Sequence, residues 1–516
     1  MAAAVAAVSL TLAAAGGAKD NATKPTLTIA YYRGCGATGV GLTPASDGGD
    51  GAFFDRPIAY ESLIRANPDG SLVPDLATSW KIEPGNKTMT MTLRQGVRFS
   101  DGTPLTAQAV ETWLNYRKTQ NTGGADDWLN IRSIRVVSKY VVRITLKSPN
   151  PFFALTLSSF KLSNWGDVAS PKAVAYAIAN PKSDFFTKHT YGAGPYALAS
   201  AIPGQTCTYV PNKHYYDPSK IKWGKIVTEV ITNPSTMLAA LQSGQVDVGD
   251  GTVTNVPAAK SSGLKVIQGD VVGQAIDLLD TGGAIVPALA KPQVRQALEY
   301  AINRKLIADS LYPGVAIPSS APEISPVDPK LNTYYTYNPA KAKALLAAAG
   351  YPNGFTMKMS CVGPWAGNLN VEPLCEAVAQ DLSAVGIQVN LDPTATGTQF
   401  TNDVNSKTFA LLGVPVNRFP AWTAYTMGLT PTAGTNQHGF RDPVLDKLWV
   451  EGSRAQGKKA DAIWLQFTRR LVTQAEFIIP ILDQRRLFFA SKRVGGVQGA
   501  TGLGFPDPLA WYPTGS

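Results

Sequence analysis

The sequence predicts an α/β fold in two lobes, with the N-terminal lobe interrupted by an insertion. Three observations lead there. The chain has 516 residues, more than one hydrophobic core holds, so two or three domains are expected. From about residue 292 onward, apolar-faced helices alternate with short β-rich runs, the texture of helices layered on a largely parallel sheet. Before that point the strand signals are spaced by hairpins and long turns instead.

Taken in order, Leu27-Thr-Ile-Ala-Tyr-Tyr reads as the first strand and runs into a long Gly-rich loop. Residues 58–83 read as a helix, a turn at Pro68-Asp69-Gly70, and a short element ending in Ser79-Trp80-Lys81-Ile82. Met89-Thr-Met-Thr-Leu-Arg alternates as a strand does, and Thr106 is a natural N-cap for a helix running through Trp113. Tyr140–Leu146 is a further strand. A hairpin is expected around Pro203-Gly204, and a short helix over 235–242 stops at Gly244.

The second half opens on a helix whose apolar face is Val294, Ala297, Leu298, Ala301 and Ile302. The next helix carries every boundary signal. Asn338 caps it, Pro339 sits where a missing N–H costs nothing, and Ala342, Leu345, Leu346 and Ala349 share one face. Gly350 can take the left-handed terminating conformation, and Pro352 prevents continuation. A strand at 355–361, a helix at 371–385, a strand from Ile387, and helices at about 442–454 and 458–474 follow.

Four cysteines occur. Met357, Met359 and Cys361 alternate along one strand face, while Val371, Leu374, Cys375, Val378 and Leu382 form one helix face. Both cysteines therefore point into one strand–helix interface, and a Cys361–Cys375 disulfide is expected, with two buried thiols as the alternative. Cys35 and Cys207 are then left to pair by subtraction. There is no C-x-x-C and there are only three histidines (His189, His214, His438), so no metal site and no cofactor are expected.

Several chemistries are set aside. Gly34-Cys35-Gly36-Ala37-Thr38-Gly39 matches G-x-G-x-x-G, but the residues after it cannot begin the helix that a dinucleotide site needs. No Walker A, G-x-S-x-G or H-E-x-x-H occurs, so no enzyme activity is expected; an exported hydrolase is the remote alternative. The net charge is +10, yet the basic residues are scattered without the aromatic interleaving of a nucleic-acid groove. They read as a solvated basic surface suited to anionic lipid or wall polymers. Ala2–Gly17 reads as a signal-peptide core, and Leu12-Ala13-Ala14-Ala15-Gly16-Gly17 looks like a lipoprotein box with Ala15 in place of the lipidated Cys. A plain Ala-x-Ala secretion signal is the alternative.

Six blocks, in order, carry a resemblance. They are Tyr60-Glu-Ser-Leu-Ile-Arg with Pro68–Trp80; Thr92–Ala107; Gly192-Ala-Gly-Pro-Tyr; Ala239–Val248; Val294–Arg304; and Asp442-Pro-Val-Leu-Asp-Lys-Leu. With the 337–355 helix, they resemble the large substrate-binding proteins of ABC importers, the family that carries oligopeptides, dipeptides and nickel chelates. The resemblance implies a periplasmic-binding-protein type II fold of the large, cluster C type: two lobes joined by two crossing strands, with an extra inserted domain. On that pattern 1–24 is a signal remnant and tether. Residues 25–57, 187–272 and 487–516 make lobe 1, 58–186 the insert, and 273–486 lobe 2.

The implied role is an extracytoplasmic receptor, a monomer held at the membrane only by a lipid anchor, that hands a solute to a permease and its ATPase subunits. Oligopeptide binders of the family place an Asp, within Gly-Trp-Cys-Ala-Asp-Tyr, on the peptide ammonium. The matching stretch here, Gly413-Val-Pro-Val-Asn-Arg-Phe-Pro-Ala-Trp, puts Asn417 there, followed by Arg418. An amide beside a cation is a poor ammonium site; Arg418 suits a carboxylate or phosphate. The ligand is thus expected to be a modified peptide, a sugar-like or an anionic small molecule, with an ordinary oligopeptide or dipeptide as the alternative. Expected contacts are Tyr31, Tyr32 and Arg33 from lobe 1, and Trp365, Asn417, Arg418, Phe419, Trp422 and Tyr425 from lobe 2.

Overall fold

The computed structural model describes residues 24–32, 34–35, 52–67, 71–119, 128–159, 166–181, 186, 189–322, 324–364, 366, 370–416, 419–430, 436, 438–498 and 507–515. The strands in chain order are β1 (Thr26–Tyr31), β2 (Ile64–Ala66), β3 (Leu72–Pro74), β4 (Ala77–Ile82), β5 (Thr88–Leu93), β6 (Ile131–Ser138) and β7 (Val141–Leu146). They continue as β8 (Tyr196–Ile202), β9 (Thr206–Pro211), β10 (Lys225–Val230), β11 (Val248–Gly251), β12 (Lys265–Leu278), β13 (Ala316–Pro318) and β14 (Ile324–Ser325). Then come β15 (Phe355–Cys361), β16 (Ile387–Pro393), β17 (Leu411–Val416), β18 (Phe419–Pro420) and β19 (Ile478–Ala490), and last the short pair β20 (Val494–Gly495) and β21 (Tyr512–Pro513).

One sheet runs through the whole molecule in the order β16-β15-β17-β12-β19-β11-β1-β10-β9-β8. Its middle is the antiparallel pair β12–β19. The last six residues of β12 pair with β17, and the last four of β19 pair with β11. Each long strand therefore gives one end to each lobe, as two crossing strands should. The register slips between Gln268 and Val271, where Gly269 and Asp270 face Arg486 alone, a bulge that bends the pair. A side chain at Gly269 would sit 2.6 Å from the Phe488 ring, so the bulge needs a glycine there.

The sheet is mixed, not largely parallel. Only β1 with β10 and β11, and β15 with β16 and β17, run parallel within it. The expectation failed because β12 and β19 gave no strand signal. β19 is buried on nearly every residue, so no polar–apolar alternation marks it. Residues 58–83 also differ: the helix lies earlier, at Ala52–Ala59, and β2, β3 and β4 follow. Tertiary pairing decides this, since Ser62 bridges to Asp167 and Ile64 to Ser158.

The helices at Ala107–Thr119, Pro234–Ser243 and Pro339–Ala348 fall where their caps place them. The Asn338 side chain accepts from the Lys341 amide at 2.9 Å, and Thr106 Oγ1 accepts from Ala109. A second sheet, β4-β5-β7-β6, lies within 58–186. Its inner residues Met91, Leu93 and Ile144 and the helix residue Trp113 share one buried cluster with Leu27, Ile29 and Tyr209. The second lobe has its own cluster around Ile276, Leu298, Leu346 and Met359, and a small helical one around Leu445, Trp464 and Phe467.

Candidate ligand-binding cleft

β1 ends one strand away from the crossing pair, with β11 between. Tyr31 and Tyr32 are both buried. The Tyr32 amide donates to Asp250 Oδ2 at 3.0 Å, and its ring joins the second lobe's cluster with Val272 and Ile276. β1 therefore reaches across the junction. Burial, with the charges of Asp55 and Asp250, holds the Tyr31 phenol well above its ordinary pKa, so it stays a neutral hydroxyl.

Asp55 supports the start of the loop after β1. Its carboxylate accepts from the Cys35 amide at 2.5 Å, Thr228 Oγ1 at 2.6 Å and Tyr209 Oη at 3.1 Å. Burial raises its pKa, and these hydrogen bonds oppose the rise. Cys35, at φ 46°, is disulfide-bonded to Cys207 on β9, with Cα atoms 5.3 Å apart. Cys361 is bonded to Cys375, with Cα atoms 6.7 Å apart. Gly413 lies against that second bridge, because a Cβ there would come within 2.2 Å of Cys375 Sγ.

The crossing strands add polar groups that sequence reasoning missed. Gln274 on β12 donates to Gln484 on β19. Tyr312 packs beside them, its pKa pushed up to about 12 by burial, with a hydrogen bond to Gln274 opposing. Asp483 is buried next to Gly273, where a Cβ would lie 2.7 Å from Val416 and 3.5 Å from the Asp483 carboxylate. The available signal was a polar residue inside an apolar run: Gln274 within Val271–Leu278 and Asp483-Gln484 within Ile478–Ala490.

On the second lobe, β17 ends at Val416, one residue before Asn417. Asn417, Arg418, Arg33 and Trp365 lie outside the described residues, as does the Phe419 side chain. The Phe419 backbone pairs with Ile324. Trp422 and Tyr425 are not on a loop. They sit on the helix Ala421–Gly428, packed against the helices Pro443–Arg454 and Gly457–Arg470. Trp449 stacks on Trp422 at 6.0 Å and on Tyr425 at 5.0 Å, and Tyr425 Oη donates to Asp446 at 2.5 Å. Their i, i+3 spacing was a helix-face pattern, and core packing now occupies both rings.

A second contact between the halves does not involve the crossing strands. Asn86 sits in the β4–β5 turn at φ 54°, with 2% of its surface exposed. Its Nδ2 donates to the carbonyls of Ser453 and Ala455, each at 3.0 Å, and its Oδ1 accepts from Gln456 Nε2 at 2.7 Å. Phe152 leans on Trp464, with ring centroids 6.1 Å apart. These contacts clasp the 58–186 segment to the corner between two second-lobe helices. Among the described residues, no group of three or more His, Cys, Asp or Glu is placed to hold a metal ion.

Residues 71–435 match the bacterial extracellular solute-binding proteins, family 5, in their middle region. The chain belongs to that family. Among family 5 relatives, it is 28% identical over 376 residues to the nickel-binding periplasmic protein of Escherichia coli K12, covering 66% of each chain. It is 27% identical over 477 residues to the glutathione-binding protein GsiB of Salmonella paratyphi A, covering 87% of this chain and 88% of that one. The binding protein AgaA of A. tumefaciens R10, solved with agropinic acid, superposes with a TM-score of 0.81 at 20% identity, over 95% of this chain and 99% of that one. The two-lobed fold is thereby established. The named relatives are binding proteins, not enzymes, and no described helix is long and apolar enough to cross a membrane.

Proposed function

We propose that this family 5 protein is the extracytoplasmic receptor of an ABC importer, and that it captures an anionic, conjugated small molecule between its lobes. The observation that carries the receptor role is the pairing of a bulged two-strand crossing with a separate side-chain clasp. A ligand that touches both lobes favours the clasped arrangement, and the loaded form is what a permease reads. The lobe limits are those of the resemblance: 25–57, 187–272 and 487–516; 58–186; and 273–486. The same reading makes the protein a monomer, with a lipid anchor where the natural chain carries a Cys in place of Ala15 and a plain secretion signal where it does not; intact mass of protein from its host tests this by a diacylglycerol adduct.

The ligand class rests on Asn417-Arg418, an amide and a cation where peptide binders carry a carboxylate. The glutathione and agropinic acid named for the relatives are acids of the kind this pair suits. A thermal-shift panel tests the reading. Glutathione and sugar–amino acid conjugates are expected to raise the melting temperature and free tetrapeptides to leave it unchanged. Stabilisation by the tetrapeptides sinks the ligand class, and turnover of a stabilising compound sinks the receptor role. Arg418→Ala should weaken an acidic ligand by about 10-fold or more, the loss of a charged hydrogen bond; unchanged affinity refutes the arginine's part.

A further inference from the structure

The β4-β5-β7-β6 sheet turns one face into the first core cluster and the other to solvent. Two neighbouring rows cross that outer face. In one, Lys81, Thr90, Arg143 and Arg135 are register partners on β4, β5, β7 and β6. In the next, Thr88, Thr145 and Ser133 are partners. Members of both rows line a surface concavity together with Arg132 and Glu83.

The cation row is out of balance. Arg135 and Arg143 stand directly opposite each other, an arrangement that costs stability on its own. Arg143 donates from Nε to Thr90 Oγ1 at 3.3 Å and pairs with Glu83 at 3.4 Å. Glu83 is the one acid lining the concavity, and among the described residues no ion pair engages Lys81, Arg132 or Arg135. Charges on an edge strand deter unwanted strand pairing, which accounts for Arg135 on β6 and Lys81 on β4, the two edges of this sheet, but not for Arg143 on the inner strand β7. The edge strand and its approach also expose Leu129 (51%) and Val137 (59%). Cations beside exposed aliphatic side chains are the composition of a surface that rests on a charged bilayer.

We propose that this sheet face docks on an anionic phospholipid membrane. The guanidinium groups fork onto lipid phosphates, the hydroxyl row donates to phosphate oxygens, and Leu129 and Val137 enter the headgroup layer. The net charge of +10 draws the protein to the surface from a distance. The docking face is separate from the cleft and does not depend on which solute the cleft holds.

Cosedimentation of the full chain with vesicles tests this. One set is phosphatidylcholine alone and the other is phosphatidylcholine with one quarter phosphatidylglycerol. Binding is expected only to the anionic vesicles and should be lost in high salt. Each cation removed should weaken partitioning about fivefold, so Arg135→Ala with Arg143→Ala should cost about 25-fold. Lys343→Ala with Lys341→Ala, the same charge change on the second lobe, should leave binding unchanged; circular dichroism confirms that both variants are folded. Equal binding to the two vesicle types, an unaffected arginine variant, or equal weakening by the lysine variant each overturns the proposal. So does saturable binding of inorganic phosphate by the sheet face without any binding to vesicles.

Discussion

Two of the contacts between the halves of the molecule differ in kind, and the contrast separates what is permanent from what is reversible. The crossing of β12 and β19 is main-chain ladder interrupted by two register slips, paired on both flanks by β17 and β11. The clasp at Asn86 is three side-chain hydrogen bonds and one aromatic contact. A ladder buried within a sheet cannot be released without unfolding, because its N–H and C=O groups would lose their partners. A few side-chain bonds of about 0.5–1.5 kcal/mol each can be traded for water and remade. Bending therefore belongs at the bulge, and the clasp is what opens.

The sharpest way to break this comparison is to attack the ladder. Ala275 pairs with Val414 on one side and Pro480 on the other. Ala275→Pro removes a donor inside a central strand and should cost at least about 3 kcal/mol. Circular dichroism melts should show a large fall in midpoint or no folded protein, and a near-normal melt would mean that the crossing is not structural.

A second effect is set by pH on the clasp side. Asp167 is buried and accepts from Ser62 at 2.6 Å, anchoring the segment that carries Phe152. Burial lifts its pKa from 3.8 to about 6, against the pull of Arg56 and the Ser62 hydrogen bond. The folded state thus holds the proton more tightly than the unfolded chain. The stability contributed is fully present below pH 3.8 and is lost as pH rises through about 6. The loss amounts to about 3 kcal/mol at most, and Asp167→Asn should remove that slope from a denaturant series between pH 4 and roughly 7. An unchanged slope would assign the pH dependence elsewhere.

The smallest effect on folding should come from the clasp itself. Asn86→Gly keeps the left-handed backbone but deletes all three side-chain bonds. Thermal stability should hardly move, while the balance between clasped and open forms shifts by about 2 kcal/mol, or roughly 30-fold. Small-angle scattering of the ligand-free protein should report a larger radius of gyration, and ligand affinity should fall. Loss of global stability instead would make the contact an ordinary domain interface.

What the sequence revealed follows the same division. The helix Pro339–Ala348 was legible because its signals are local: a cap, an N1 proline and a stop glycine. β19 was not, because burial on both faces erases alternation. Tyr31 and Tyr32 stand at the end of a readable strand, but the groups around them, Asp55 and Asp250, come from distant segments. Trp422 and Tyr425 were misplaced because aromatics that fill a core and aromatics that hold a ligand look alike in one dimension. Asn86 gave no signal, since a turn asparagine becomes a latch only when residues 453–456 arrive beside it.

The bond between Cys35 and Cys207 spans 172 residues, and the whole 58–186 segment lies inside the ring it closes. A protease that cuts once anywhere within that ring leaves a single molecule of unchanged mass apart from one added water. The fragments part only on reduction and unfolding. An exported receptor built this way carries the 58–186 segment on a covalent loop that can be nicked without being shed.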